Sequence, residues 1–250
     1  MSKDNQYLST LTGIFDRIET EQEQNLLDAA GEMATSISDD RLIYLFGGGG
    51  HTCLVMQELF WRAGGLANIC PMIDFSIHPV TQAYLYLGHE RMHGVGDHVV
   101  RYYGVEEGDL VLCFHSYGFN PPTIDLALEA KELGATVVGI SSSFWQEAVP
   151  SDFPLRHRSG KHLFDIADIC IDNYVPFGDT VVEFAKFPKP VSSISGSVDF
   201  YIAHRLEMEA IRLSAERGVE PPVWTSANVV GGDEENKRLR DRYNSRVKFL

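Results

Sequence analysis

Two short stretches carry the residue types that hold an anion. Gly47 to Gly50, continued by His51-Thr52, comes directly after the apolar run Arg41 to Phe46; Ser116-Tyr117-Gly118-Phe119-Asn120 comes directly after Asp109 to His115. A glycine turn that leaves a strand and enters a helix has backbone N–H groups to spare, and lets a phosphate oxygen approach the chain closely. Thr52 adds a hydroxyl and is expected to cap the helix that follows. Ser116, the Gly118 amide and Asn120 repeat this chemistry, and Ser141-Ser142-Ser143 offer it a third time after the run Thr136 to Ile140. Gly48, Gly49, Gly50, Thr52, Ser116, Tyr117, Gly118, Asn120, Ser141 and Ser142 are therefore the candidate ligand-binding residues. Turns that follow successive parallel strands meet at one edge of the sheet, where open α/β sheets bind ligands.

Other chemistries fit less well. The first turn lacks the G-x-G-x-x-G spacing of a dinucleotide site, and only Asp74 comes near the position of a ribose-binding acid. His89-Glu90-Arg91-Met92-His93 matches H-E-x-x-H, the zinc-hydrolase pattern of two ligands on one helix face with a glutamate base. Gly94-Val95-Gly96 follows at once and leaves little helix beyond the second histidine. A zinc hydrolase is thus the weakest reading, and no metal or other cofactor is expected. The four cysteines contain no C-x-x-C pair: Cys70, Cys113 and Cys170 sit in or beside strand-like runs and Cys53 opens a helix-like one. They read as small core hydrophobes.

The elements that must position these turns alternate along the chain. The stripe Leu8, Leu11, Ile14, Phe15, Ile18, Leu26, Leu27, Ala30, Met33 makes residues 1–40 a helical leader packing on the domain or on a partner subunit. Strands are expected at 41–46, 66–72, 109–115, 136–140 and 167–172, with helices at Thr52 to Ala63, Thr123 to Leu133 and Ser195 to Arg217. Pro79 to Val105 reads as mixed, Ser141 to Lys161 as polar loop and Asn173 to Pro190 as turns. Charge-poor strands between helices indicate a parallel sheet covered on both faces, a three-layer α/β/α sandwich. The main domain is placed at 41–217, and residues 218–250 form a polar extension lying on its surface or reaching a neighbour.

Composition excludes several partners. With 250 residues and 44% apolar content, the chain can bury one full core. A net charge of -14 excludes nucleic acid and anionic membrane, which demand clustered Lys and Arg. No apolar run approaches the about 20 residues that span a bilayer, and the N-terminus lacks the order of a signal peptide, so a cytoplasmic protein is expected. The leader and the Ser195 to Arg217 helix carry more apolar surface than one sheet face covers, which predicts a homodimer or homotetramer.

At this point a resemblance is visible. The stretches Gly50-His51-Thr52, Glu58 to Leu66, Glu90-Arg-Met-His-Gly94, Pro122 to Lys131, Arg156 to Lys161, Ala167 to Asn173, Pro176 to Asp179 and Ser226 to Asn236, taken in order, resemble the SIS (sugar isomerase) domain proteins, in particular a bacterial group related to phosphoheptose isomerases. The resemblance implies a flavodoxin-like five-stranded parallel sheet, a sugar phosphate at the strand ends, and sites near subunit interfaces. It places Thr52 at the ligand-binding hydroxyl of the first loop, Ser116 to Asn120 at the phosphate loop, and Asp74 where several SIS enzymes hold a catalytic glutamate. The chain departs from the pattern at two points. His115 and Tyr117 stand where the phosphate loop carries serines, and Leu54 stands one turn before Glu58 where zinc-dependent relatives have a histidine.

An aldose–ketose isomerase needs a group to move a proton between adjacent carbons and an acid to open the ring. Asp74 or Glu58 is the expected base, and His51, His157 or His115 the expected acid. The competing expectation is a non-catalytic phosphosugar sensor that acts through a protein partner.

Overall fold

The computed structural model describes residues 5–80 and 82–250. Five strands form one parallel sheet in the order β2-β1-β3-β4-β5: β1 (Ile43–Gly47), β2 (Ile69–Pro71), β3 (Leu110–Phe114), β4 (Thr136–Ser141) and β5 (Ile169–Asp172). Alternate residues of each central strand enter different cores. Ile43, Leu45, Leu110, Leu112, Phe114, Val138 and Ile140 join one, while Tyr44, Phe46, Val111, Cys113 and Val137 join the other. Both faces are buried, so these strands must be apolar throughout.

The first face is covered by α1 (Gln6–Glu21), α2 (Glu23–Ser38), α3 (Cys53–Leu59) and α8 (Ser195–Glu216). The leader is two helices rather than one. Its break is at Gln22, a buried side chain whose Nε2 donates to the Tyr174 hydroxyl at 2.6 Å while its Oε1 accepts from the Asp172 N–H at 3.1 Å. Bending the chain there ties the leader to the end of β5. The second face is covered by α5 (Val95–Tyr103) and α6 (Pro121–Glu132), which cross closely at Gly96, where any Cβ would strike the backbone of Pro122 and Leu126.

Three expectations need correction. Strand β2 is shorter than expected, and Leu66 bridges instead to Val223 of the C-terminal segment. The turn-rich stretch after Asn173 contains an antiparallel hairpin, β6 (Thr180–Phe184) with β7 (Phe187–Ser193). The stretch 79–105 resolves into α4 (Ala83–His89) and α5, and α7 (Ser143–Ala148) interrupts the expected loop. The C-terminal segment lies on the second face: Trp224, then Leu239 and Tyr243 of α9 (Gly232–Tyr243), then Val247 are buried there. Asn236 fastens it, accepting from the Thr225 N–H at 2.9 Å and donating to the Thr225 carbonyl at 2.7 Å. Among the described residues no helix is long and apolar enough to cross a membrane.

Candidate functional site

The two glycine turns leave adjacent strands, β1 and β3, at their carboxyl ends. In the first, the Gly48 N–H donates to the Phe114 carbonyl at 3.3 Å and so ties the turn to the end of β3. Thr52 does not cap α3 as expected. Its hydroxyl accepts from the Gly49 N–H at 2.8 Å and donates to the Gly49 carbonyl at 3.1 Å, closing the turn on itself. Glycine is obligatory at 48, where a Cβ would run into the Thr123 side chain and the Phe46 ring.

In the second turn, the Gly118 N–H donates to His115 Nδ1 at 2.7 Å. Nδ1 is therefore the acceptor, and the neutral ring carries its proton on Nε2. Burial, reinforced by the neighbouring His162, pushes His115 down to about 3, so the ring is neutral at ordinary pH. Nε2 faces the first turn, 3.0 Å from where a Gly49 Cβ would stand. The histidine is thus a fixed neutral donor. Gly118 itself adopts φ +67°, and a Cβ there would collide with His162 and Ser141.

Beneath Ser116 lies a buried polar network. The Ser116 hydroxyl donates to Asp199 Oδ2 at 3.3 Å, and the Asn173 amide donates to Ser116 Oγ at 3.1 Å and to Asp199 Oδ1 at 2.8 Å. Asp199 is fully buried with no cation among these hydrogen-bond partners, and burial pushes its carboxyl up to about 7.

The cleft is closed from above by α4 and the residue that ends it, Glu90. The Tyr86 hydroxyl donates to the Glu90 carboxylate, and Asn120 Nδ2 approaches Glu90 Oε2 at 3.3 Å. Burial raises the Glu90 carboxyl above its ordinary range, against the opposing pull of the Tyr86 hydroxyl and Arg91. At the far wall Asp179, at φ +64°, accepts from the Ser195 hydroxyl at 2.9 Å and from the Ile194 and Ser195 N–H groups at 3.0 and 2.8 Å. These groups enclose about 270 Å³, and among the described residues no Lys or Arg lines the space.

Of the residues picked from sequence, Gly49, Gly50, His51, Thr52, Ser116, Tyr117 and Asn120 come together around this cleft. Gly48 and Gly118 stand behind its wall, and Ser141 and Ser142 lie deeper, bonded to the Ser116 and Val175 carbonyls. Asp74, Glu58 and His157 do not line it. Asp74 accepts from the Ser76 N–H at 2.8 Å and caps a short 3-10 turn. Glu58 faces α8, bound to Arg62 at 3.1 Å and His204 at 3.0 Å. His157 is paired with Asp125 of α6 at 2.9 Å.

The carboxylates that do face the cleft, Glu90 and Asp179, were not among the sequence candidates for catalysis, nor were Tyr86 and Ser195. Glu90 stands in the sequence within the H-E-x-x-H match and within a stretch that carries the SIS resemblance, and neither assigns it a role in the cleft. That match is not a zinc pair, because α4 ends at His89, whose Nδ1 lies 2.9 Å from the Ser76 carbonyl, while His93 lies beyond the helix against His157.

Comparison with known proteins agrees with this architecture. A family model described as the SIS domain matches residues 6–142. The UPF0309 protein of Halalkalibacterium halodurans is 34% identical over 247 residues, covering 96% of this chain and 97% of its own length. That of Listeria innocua is 34% identical over 251 residues, covering 98% of each. Among solved structures, a phosphoheptose isomerase from Francisella tularensis superposes with TM-score 0.54 at 15% identity, covering 83% of this chain and 96% of that one. A phosphoheptose isomerase from Neisseria gonorrhoeae gives 0.53 at 12%, covering 83% and 95%. At such identities the fold is what is shared.

The Asp199 network makes a pH-dependent prediction. A carboxyl raised from 3.8 to about 7 binds its proton more tightly in the folded chain than in the unfolded one. Its contribution to stability is therefore full below pH about 4 and is lost as pH rises through about 7. Asp199→Asn keeps the shape, and its amide can donate to Ser116 Oγ. The difference in melting temperature, variant minus wild type, should increase between pH 5 and 7 and level off above. A difference that is flat across this range contradicts the buried, proton-binding assignment.

Proposed function

We propose a sugar-phosphate-binding function, with aldose–ketose isomerisation as the reaction, for this chain, which belongs to the SIS-domain family and within it to the UPF0309 proteins. The observation that carries the reading is the donor set of the cleft. The His51, Thr52, Ser116 and Tyr117 N–H groups meet no acceptor among the described residues, and His115 adds an uncharged N–H beside them. Such donors hold a phosphate by directed hydrogen bonds without a cation. The phosphoheptose isomerase names of the two superposable structures support the same ligand class.

The proton transfer falls to Glu90. Of the two carboxylates that line the cleft, it is the one whose pKa burial raises, and it lines the same space as the phosphate donors. A base of this kind contributes about 10²–10⁴ in rate. The Tyr86 hydroxyl and Asn120 fix its orientation, and His51, exposed at the mouth, is placed to protonate a ring oxygen. Asp74 and Glu58 are not assigned this role, since their carboxylates are committed elsewhere.

A second copy of the chain as partner belongs to the same reading, on different surface from that expected. The leader and α8 bury much of their apolar surface against each other and the sheet, including Ile18, Val198, Ile202 and Leu206. Five exposed apolar residues, Phe75, Val80, Tyr84, Leu85 and Leu87, fall in one stretch of the chain, and Leu87 lines the cleft. Concentration of apolar surface in this way marks an interface. Light scattering should give at least twice the chain mass, reduced by Leu85→Asp; a monomer at micromolar concentration refutes it.

For the catalytic part, wild type is screened against sugar phosphates and each binder is followed by NMR in deuterated water. Glu90→Gln should lower turnover and solvent deuterium uptake by about 10²-fold or more with binding kept. Undiminished exchange in that variant removes Glu90 as the base. Binding with neither turnover nor exchange in wild type turns the reading to a sensor.

A further inference from the structure

We propose that His93, Asp125 and His157 bind one divalent transition-metal ion, with zinc as the fitting element, in a site separate from the cleft. Three chain segments meet there: the stretch following α4, the first turns of α6, and the loop that leads from α7 toward Leu163. One ligand atom from each residue lies within 4.8 Å of the other two, the sole such grouping among the described residues. His157 Nε2 and Asp125 Oδ1 are 2.9 Å apart, and the rings of His93 and His157 meet edge to face at 4.6 Å. A tetrahedral ion with bonds of about 2.0–2.1 Å needs its ligand atoms about 3.4 Å apart. His157 and Asp125 are buried and fixed, while His93 is exposed and can swing in.

The surroundings are those of a metal site. Asp125 is oriented through its other oxygen, which accepts the Gly94 N–H at 2.7 Å. His157 Nδ1 accepts the Ser159 N–H at 3.1 Å and also lies 2.7 Å from the Ser159 hydroxyl. In the metal-free protein the ring therefore carries its proton on Nε2 toward Asp125; an ion entering the site takes the Nε2 lone pair and the ring proton moves to Nδ1, where the Ser159 hydroxyl can accept it. The adjoining cavity of about 320 Å³ is also lined by Asp97, Glu132, Arg158 and Glu129, the last paired with Arg101 at 2.8 Å, and leaves room for a water as fourth ligand. Two imidazoles with one carboxylate suit zinc over the all-oxygen ions magnesium and calcium. The H-E-x-x-H match thus supplies one ligand, His93, rather than a pair. The ion would pin the stretch three residues after Glu90 to α6, and the assignment stands whatever the cleft binds.

Untagged, metal-stripped full-length protein is titrated with zinc against a chromophoric chelator, and with cobalt by visible absorption. One equivalent of zinc should bind, cobalt should show the strong visible bands of a four-coordinate site, and zinc should raise the melting temperature. His93→Ala should lose all three while its metal-free form melts as wild type does, since His93 is exposed. Failure to take up an equivalent, or uptake unaltered in both His93→Ala and Asp125→Asn, overturns the site.

Discussion

Everything in the candidate site follows from the adjacency of β1 and β3 at the centre of a sheet ordered β2-β1-β3-β4-β5. The helix after β1 packs on the face that holds α8, and the helix after β3 on the face that holds α5. Their connecting turns must therefore diverge, and a crevice opens between them. Burial then dictates how the turns are built. With no water to satisfy them, their backbone groups are closed by Thr52, by His115 and by the Phe114 carbonyl. The residues whose amides are left over, His51, Thr52, Ser116 and Tyr117, line the crevice.

Charge in the crevice is handled by proton placement. The chain is strongly acidic and no Lys or Arg among the described residues lines the cleft, yet two carboxylates face it. His115 is kept neutral by burial, and Asp199 beneath Ser116 has its proton affinity raised by the same cause. Glu90 is raised as well. On the proposed reading, the negative charge of a bound phosphate raises the Glu90 carboxyl further, which makes its ionised form a stronger base.

The sheet was legible because doubly buried strands must be continuous apolar runs, as at Leu110–Phe114. The hairpin was not: β7 contains Pro188 and Pro190 and is mostly exposed, so it carries neither alternation nor a hydrophobic run. The binding turns were legible from glycine and hydroxyl placement, but the carboxylates were not. Asp74 follows β2 in sequence, and a position after a parallel strand looks like the ligand edge. Yet β2 is an edge strand and ends at Pro71, after which the chain turns aside and spends Asp74 on Ser76. Glu90 reaches the cleft across α4, a contact between distant segments that no local pattern announces. Gly118 shows the converse: its need is internal, a positive φ against His162, rather than room for a ligand.

The central claim is that a phosphate sits on the amides at the ends of β1 and β3. The direct measurement is a two-dimensional amide NMR titration with the tightest-binding sugar phosphate and, separately, with its unphosphorylated sugar. The account predicts saturable shifts centred on His51, Thr52, Ser116 and Tyr117 with the phosphate and none of comparable size without it. Shifts centred elsewhere, or equal shifts from both sugars, contradict it.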